Sequence, residues 1–223
     1  MKNHNKNSLL LIILISTIYC NQSNSNSNAD AEVAVGKKVE IRLVDSLGTI
    51  YISVPSRFDT SFVWVSQSDC GKPCEVQKYR FQPKKLPVFK ESGFYVMNAP
   101  KDSVDQFTIS HPSYLYNRSD TIRDTYMHSR LKAEMEYNSG SFPMIFDTIQ
   151  KIGNRYYSIF YLKKKAEVER KRVLAVTTIK GNEIRFQYEL ASKTGDTSSI
   201  DFFQNSMKYL ETIEIKAGTL IIK

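Results

Sequence analysis

The sequence predicts an α+β fold in which helices pack on one large antiparallel sheet within a single domain. Three observations carry this. Apolar and polar residues alternate with period two in many short runs, the signature of half-buried strands. Two segments, one mid-chain and one near the C-terminus, instead space their apolar residues by three to five, as on one face of a helix. Most strands follow one another through short turns rather than alternating with helices, which favours antiparallel pairing. With 13 Tyr and 12 Phe against 9 Gly and 7 Pro in 223 residues, the composition suits strands rather than disorder.

The first element is a leader. Met1–Ser8 is polar with Lys2 and Lys6 positive, and Leu9–Ile15 is an unbroken aliphatic run. That is the n-region and h-region of a targeting segment. A spanning helix needs roughly 20 apolar residues, and this run turns polar at Asn21 well short of that. Thr17-Ile18-Tyr19-Cys20 resembles the lipobox of bacterial lipoproteins, although Thr17 and Tyr19 stand where a leucine and a small residue are commonest. The resemblance implies that residues 1–19 are a lipoprotein signal peptide and that Cys20 carries the lipid. The competing reading is an ordinary secretory signal with an incidental cysteine. Asn21–Asn28 contains only Ser, Asn and Gln; such a stretch buries nothing and makes residues 20–32 a flexible tether. One acyl chain binds a bilayer marginally, whereas the several chains of a mature lipoprotein hold it firmly.

The globular domain is assigned to residues 33–223, long enough for one sizeable core. Val39, Ile41 and Leu43 alternate with Lys38, Glu40 and Arg42, Asp45-Ser46-Leu47-Gly48 interrupts, and Ile50, Ile52 and Val54 alternate again before Pro55. This predicts a hairpin with one buried face. Phe62–Val65 and Val76–Gln82 are two further strands. Pro83 and Pro87 among Lys84, Lys85 and Lys90 predict an exposed loop. Phe94–Met97 and Phe107–Ile109 read as short strands. Ser119 or Asp120 caps a helix with Ile122, Tyr126, Met127, Leu131 and Met135 on one side, closed by Gly140 and Pro143.

Four strands follow as a meander: Met144–Ile152, Arg155–Leu162, Val173–Ile179 and Ile184–Leu190. The Gly153-Asn154 and Gly181-Asn182 dipeptides mark two of its hairpins. Thr197 or Ser198 caps a last helix with Ile200, Phe203, Met207 and Leu210 on one stripe, and a strand within Thr212–Ile222 ends the chain.

Three segments carry a family resemblance: Tyr51-Ile52-Ser53-Val54-Pro55, Ile184-Arg185-Phe186-Gln187-Tyr188, and Phe202–Met207 before Thr212-Ile213. Over roughly Val39–Ile215 the chain resembles the PsbP-like family of secreted or lipid-anchored modules. The resemblance implies an α/β/α sandwich and non-enzymatic relatives. No metal or partner site of that family matches residue by residue, so none is transferred.

With Cys20 lipidated, Cys70 and Cys74 remain as a pair in an oxidising compartment. Four residues of extended strand would hold their Cα atoms about 13 Å apart, whereas a disulfide needs less than ~7 Å. Cys70-Gly71-Lys72-Pro73-Cys74 therefore has to be a tight turn, for which Gly71 and Pro73 are suited. We expect a local staple; a redox-active pair is the alternative, against which the three intervening residues count.

The formal charge is +8, and loss of Lys2 and Lys6 lowers it to +6, which favours anionic lipid, wall polymer or an acidic partner. Lys163, Lys164 and Lys165 with Arg170, Lys171 and Arg172 form the densest basic stretch, interrupted by Glu167 and Glu169. It is either a solvated hairpin end or a contact for anionic head groups, worth about 1 kcal/mol per cation near the surface.

Nothing points to catalysis. No nucleophile elbow, Walker loop or dinucleotide-binding glycine pattern is present. His111 and His128 lack a second ligand at metal-binding spacing; His128 is expected to be partly buried beside a partner and His111 to lie in a loop. The expectation is a bacterial cell-envelope protein, periplasmic or outer-membrane, anchored by lipid and free of cofactor and metal. It would bind another envelope protein or a wall polymer but no nucleic acid, in a non-catalytic or structural role. The alternative is a carrier or chaperone for an apolar ligand such as lipid, held in a cavity between sheet and helices.

Overall fold

The structure is a computed structural model, and it describes residues 36–44, 47–90, 103–115, 124–137, 142–193 and 201–218. In chain order the described elements are β1 (Lys37–Arg42), β2 (Gly48–Val54), β3 (Thr60–Ser66), β4 (Val76–Gln82), β5 (Val104–Pro112), α1 (Asp124–Tyr137), β6 (Met144–Ile152), β7 (Arg155–Lys164), β8 (Val168–Ile179), β9 (Asn182–Lys193), α2 (Phe202–Leu210) and β10 (Glu214–Ala217). The leader, Cys20 and the tether lie outside the described residues, as do Phe94–Met97, Ile122 and the expected caps at Ser119, Asp120, Thr197 and Ser198.

Seven strands form one antiparallel sheet in the order β3-β4-β5-β9-β8-β7-β6. The expected meander supplies β6 to β9, and β5 joins it to the earlier strands by pairing with β9, Phe107 opposite Tyr188. The fold class is as predicted: α+β, with two helices on a large antiparallel sheet. One feature differs. The early hairpin β1-β2 does not extend the large sheet but forms a separate three-stranded sheet with β10, in the order β1-β2-β10. Alternation tells which face of a strand is buried, not which sheet buries it. Ile50, Ile52 and Val54 are fully buried, and they face the large sheet from a second layer.

The main core lies between these layers. Phe107, Ile109, Val173, Ala175, Ile184 and Phe186 of the large sheet meet Ile50 and Ile52 of the small one and Met207 and Leu210 of α2. Helix α2 packs on β2, β8 and β9. Its buried side chains are Phe202, Ser206, Met207, Tyr209 and Leu210, while Phe203 is only half-buried. The opposite face of the large sheet carries a smaller cluster, where Met127 and Leu131 of α1 cover Phe160, Leu162, Leu174 and Val176. Tyr126, expected on that stripe, is 74% exposed.

The β8–β9 turn falls one residue earlier than expected. Lys180 and Gly181 both have positive φ, 51° and 75°, as a type I′ hairpin turn requires. Asn182 instead begins β9 and donates from Nδ2 to the carbonyls of Ile179 and Lys180. No helix among the described residues is long and apolar enough to cross a membrane.

Candidate functional site: a polar groove on the large sheet

Helix α1 contacts β6 and β7 and leaves the far part of its sheet face to other residues. There the inward-outward alternation of β4, β5 and β9 brings polar side chains into transverse rows. Lys78, Ser110 and Arg185 stand opposite one another in one row, and Arg80, Thr108 and Gln187 in the next. Together with Val76, Pro112 and Glu183 they line a groove of about 550 Å³. The other face of the same strands is apolar, with Tyr79, Phe81, Phe107, Ile109, Ile184 and Phe186 in the core.

Arg185 sits where α1 meets the groove. Its guanidinium pairs with Glu134 of α1 at 3.4 Å and Glu183 at 3.1 Å. Burial alone would lower its pKa, but Glu134 and then Glu183 outweigh that and hold it above the ordinary arginine value. Arg130 of α1 also pairs with Glu183. Helix α1 is thus fixed to the groove wall by ions as well as by its apolar stripe.

At the opposite wall Arg80 is 2% exposed. Its Nε donates to Thr108 Oγ1 at 3.1 Å and its Nη1 to the Phe89 carbonyl at 2.9 Å. The guanidinium also lies 4.8 Å from the ring centroids of Trp64 and Phe89, close enough for cation–π attraction. Gln82 donates to the carbonyls of Leu86 and Pro87. The proline-containing segment expected as a loop is therefore irregular but tied to the sheet by two buried side chains of β4. Lys78 lies 5.7 Å from the Trp64 ring. The groove offers hydrogen-bond donors, hydroxyls and one aromatic-flanked cationic wall.

The predicted site residues fall elsewhere. Cys70 lies just before a single 3₁₀ turn, Lys72–Cys74, whose last residue is Cys74, and the two are disulfide-bonded with Cα atoms 5.9 Å apart. Gly71 precedes the turn with φ 80°, and the Cys74 and Glu75 amides donate to the Gly71 and Lys72 carbonyls. The basic stretch spans the β7–β8 hairpin, with Lys163 opposite Lys171 and Lys164 opposite Arg170. Glu169 bridges Lys163 at 3.0 Å and Lys171 at 2.8 Å. Desolvation would raise the Glu169 pKa, but hydrogen bonds from Lys171 and Lys163 carry it below the usual value. Arg172 pairs with Glu189 at 3.3 Å and lies over Phe142. Lys163 and Lys171 are thus engaged inside the hairpin and Arg172 by the neighbouring β9, while Lys164 and Lys165 are exposed at its tip.

His128 behaves as expected, with its Nε2 2.9 Å from Asp147 and its ring stacked on Phe160. His111 does not. It belongs to β5, is 1% exposed, and has its Nε2 3.4 Å from the Tyr79 hydroxyl, whose pKa burial pushes up. Strand β5 does end at Pro112, but Pro112 is still paired with Val76, which keeps His111 inside the strand rather than in a loop. Among the described residues no group of three His, Cys, Asp or Glu side chains could hold a metal. The sequence reading missed the groove. Its only signal was the Lys78, Arg80, Gln82 alternation in β4, which marks a polar face without saying what lies across from it.

No family model and no curated protein matches the chain. Three solved structures are similar to it. Cyanobacterial PsbP (CyanoP) from Synechocystis sp. PCC 6803 is 11% identical over 82% of this chain and 94% of its own, with a TM-score of 0.45. LpqN, involved in cell envelope biogenesis of Mycobacterium tuberculosis, is 13% identical over 85% of this chain and 96% of its own, with a TM-score of 0.39. A protein of unknown function from Pseudomonas aeruginosa is 11% identical over 78% of this chain and 95% of its own, with a TM-score of 0.33. The chain resembles all three.

Proposed function

We propose that this chain is a lipid-anchored, non-catalytic binding protein of the bacterial cell envelope that holds another envelope protein or an anionic wall polymer in the groove over β4, β5 and β9. One observation supports the binding role above the others. The large sheet keeps a polar row, Lys78, Ser110 and Arg185, on a face whose other half is apolar and covered by α1. An antiparallel sheet can leave one face to water; what favours binding here is that the polar row is gathered into a groove of about 550 Å³ between the buried Arg80 and the α1-paired Arg185.

Anchoring rests on the leader and Cys20. On this reading residues 1–19 are removed and residues 20–32 tether the domain to the lipid at Cys20. The domain then searches a shell close to the membrane without touching lipid itself. The carrier reading gains less support. Ring pairs Phe81–Phe107, Phe107–Tyr188 and Tyr188–Tyr209 run from the large sheet to α2 with centroids 4.2 to 6.2 Å apart, so aromatic side chains pack where a lipid would have to enter.

The test is a photoreactive diazirine amino acid placed at Ser110 in the full-length chain, irradiated in its own cells. A defined adduct at Ser110, absent when the same group replaces the exposed Tyr156 of β7, supports the reading. Equal adduct patterns at both positions would remove it.

A further inference from the structure

Among the described residues four strands lie at sheet edges: β3 and β6 bound the large sheet, β1 and β10 the small one. An outer strand presents unpaired backbone donors and acceptors, and proteins guard such edges with charge, bulges or shortness. Strand β6 is guarded by a register shift between Met144 and Phe146 and by Asp147 and Lys151. Strand β10 is four residues long. Strand β3 has none of these. Thr60–Ser66 reads TSFVWVS, without a charge or a proline, and Val63 and Val65 are 55% and 38% exposed.

Strand β3 does not face open solvent along its whole length. Its first half, Thr60–Val63, and all of β1 line a single groove of about 520 Å³. Phe58, Tyr79, Phe81 and Ile41, all core residues, supply apolar surface to it. Two sheet edges and an apolar floor are what an extended peptide needs, since its backbone can continue a ladder while alternate side chains point to the floor.

Charge selects the occupant. Lys37, Lys38 and Arg42 of β1 are exposed. Glu40 is held by Arg42 at 3.2 Å, and Asp59 accepts the Lys84 amide at 2.6 Å. Lys37 and Lys38 have no ion pair among the described residues. The β1 lip of the groove therefore carries the excess positive charge, while Asp59 is the one carboxylate lining its β3 side among the described residues. A second copy bringing its own β1 would set lysine against lysine, which like-charge repulsion disfavours. A strand alternating acidic and apolar residues matches both the lip and the floor.

We infer that the groove between β1 and β3 is a strand-addition site for an extended, acidic segment of a partner protein. It is a different surface from the groove on β4, β5 and β9, and it does not depend on that groove being occupied.

The test uses the full-length chain purified in detergent micelles and a fluorescent eight-residue peptide alternating Glu and Val, with a Lys–Val peptide as control. The Glu–Val peptide should bind at least tenfold more tightly than the control, with backbone amide shifts centred on Lys37–Arg42 and Thr60–Ser66. Lys38→Glu and Val63→Glu, both at exposed positions, should each weaken it at least tenfold without moving the urea midpoint. Equal binding of both peptides, or binding untouched by both variants, overturns the inference. Sedimentation of the chain alone covers the remaining occupant: a dimer abolished by Val63→Glu would assign the edge to a second copy and likewise overturn it. Failure here leaves the Ser110 adduct unaffected, so the two readings fall separately.

Discussion

His128 reaches from α1 to β6, where its Nε2 lies 2.9 Å from the carboxylate of Asp147. Lys132, one turn further along the helix, meets the same carboxylate at 3.1 Å. The hydrogen bond with His128 is the main reason the Asp147 pKa is lowered, and Lys132 adds to it against the opposing effect of burial. A lowered folded-state value means that the ionised form stabilises the fold. The contribution is complete above the ordinary carboxylate value of about 4 and disappears as pH falls through the lowered one. Asp147→Asn should therefore cost about 1–2 kcal/mol at pH 7, in the range of a charge-assisted hydrogen bond discounted for partial exposure. Urea midpoints should differ at pH 7 and draw together as pH falls below the ordinary carboxylate value. An equal deficit at both ends of that range would show that Asp147 acts through packing rather than charge.

Helix α2 makes a sharper demand on packing. Phe202 is 9% exposed, whereas Phe203 is half-buried and meets Tyr161 and Phe146 with ring centroids 5.0 and 5.5 Å away. Phe202→Ala should cost about 3–5 kcal/mol, as for other buried aromatics. Phe203→Ala should cost about 1–2 kcal/mol, for partial burial and two aromatic contacts. Denaturant midpoints of the two variants rank them, and the reverse order would mean that the helix is rotated about its axis.

That ranking shows how far the sequence could be read. The spacing of Phe203, Met207 and Leu210 marked a helix with an apolar stripe, and the helix is there. The stripe's centre was misplaced because Tyr209, Ser206 and Phe202 are as inward as the aliphatic residues, and a polar-tipped side chain does not announce burial. The meander was legible because Gly153-Asn154 and Gly181 punctuate period-two runs. The division into two sheets was not, because Ile50 and Ile52 alternate in the same way whichever layer covers them. Charged residues misled most. Lys171 belongs to a stretch that reads as a solvated hairpin end or a head-group contact, and Arg80 carries no sign of its place. Yet both are buried, held by partners more than five residues away or by a neighbour on the same hairpin. Those partners become visible only once the register is known.

The small sheet depends on one close approach. A Cβ added to Gly48 would lie 2.1 Å from the Lys216 carbonyl oxygen, and Gly48 has φ 126°. Gly48→Ala is thus blocked by backbone on the paired strand β10 and strained in its own conformation, and should cost at least about 2 kcal/mol. Hydrogen exchange should show the loss first at Glu214–Ala217, the segment paired with Gly48–Tyr51. Unchanged protection there would mean that β10 does not depend on this contact.

The proposed lipidation of Cys20 and the Cys70–Cys74 bridge are separable by chemistry. Cys20 lies in the leader's closing motif, and Cys70 and Cys74 close a turn whose Cα atoms are 5.9 Å apart. Cys20→Ala should abolish incorporation of a fatty-acid analogue and leave an unprocessed or released chain, because the thioether is the stable attachment the sequence provides. Undiminished labelling would remove the lipoprotein reading. Alkylation of the exported protein should find Cys70 and Cys74 protected until a reductant is added. The double replacement Cys70→Ser, Cys74→Ser should then lower stability by only about 2 kcal/mol, the chain-entropy value for so short a loop. The bridge spans the connection between β3 and β4 and not the core, so the variant should keep its fold and its Ser110 adduct. Both cysteines alkylating without reductant would leave a free thiol pair in the turn and restore the redox reading.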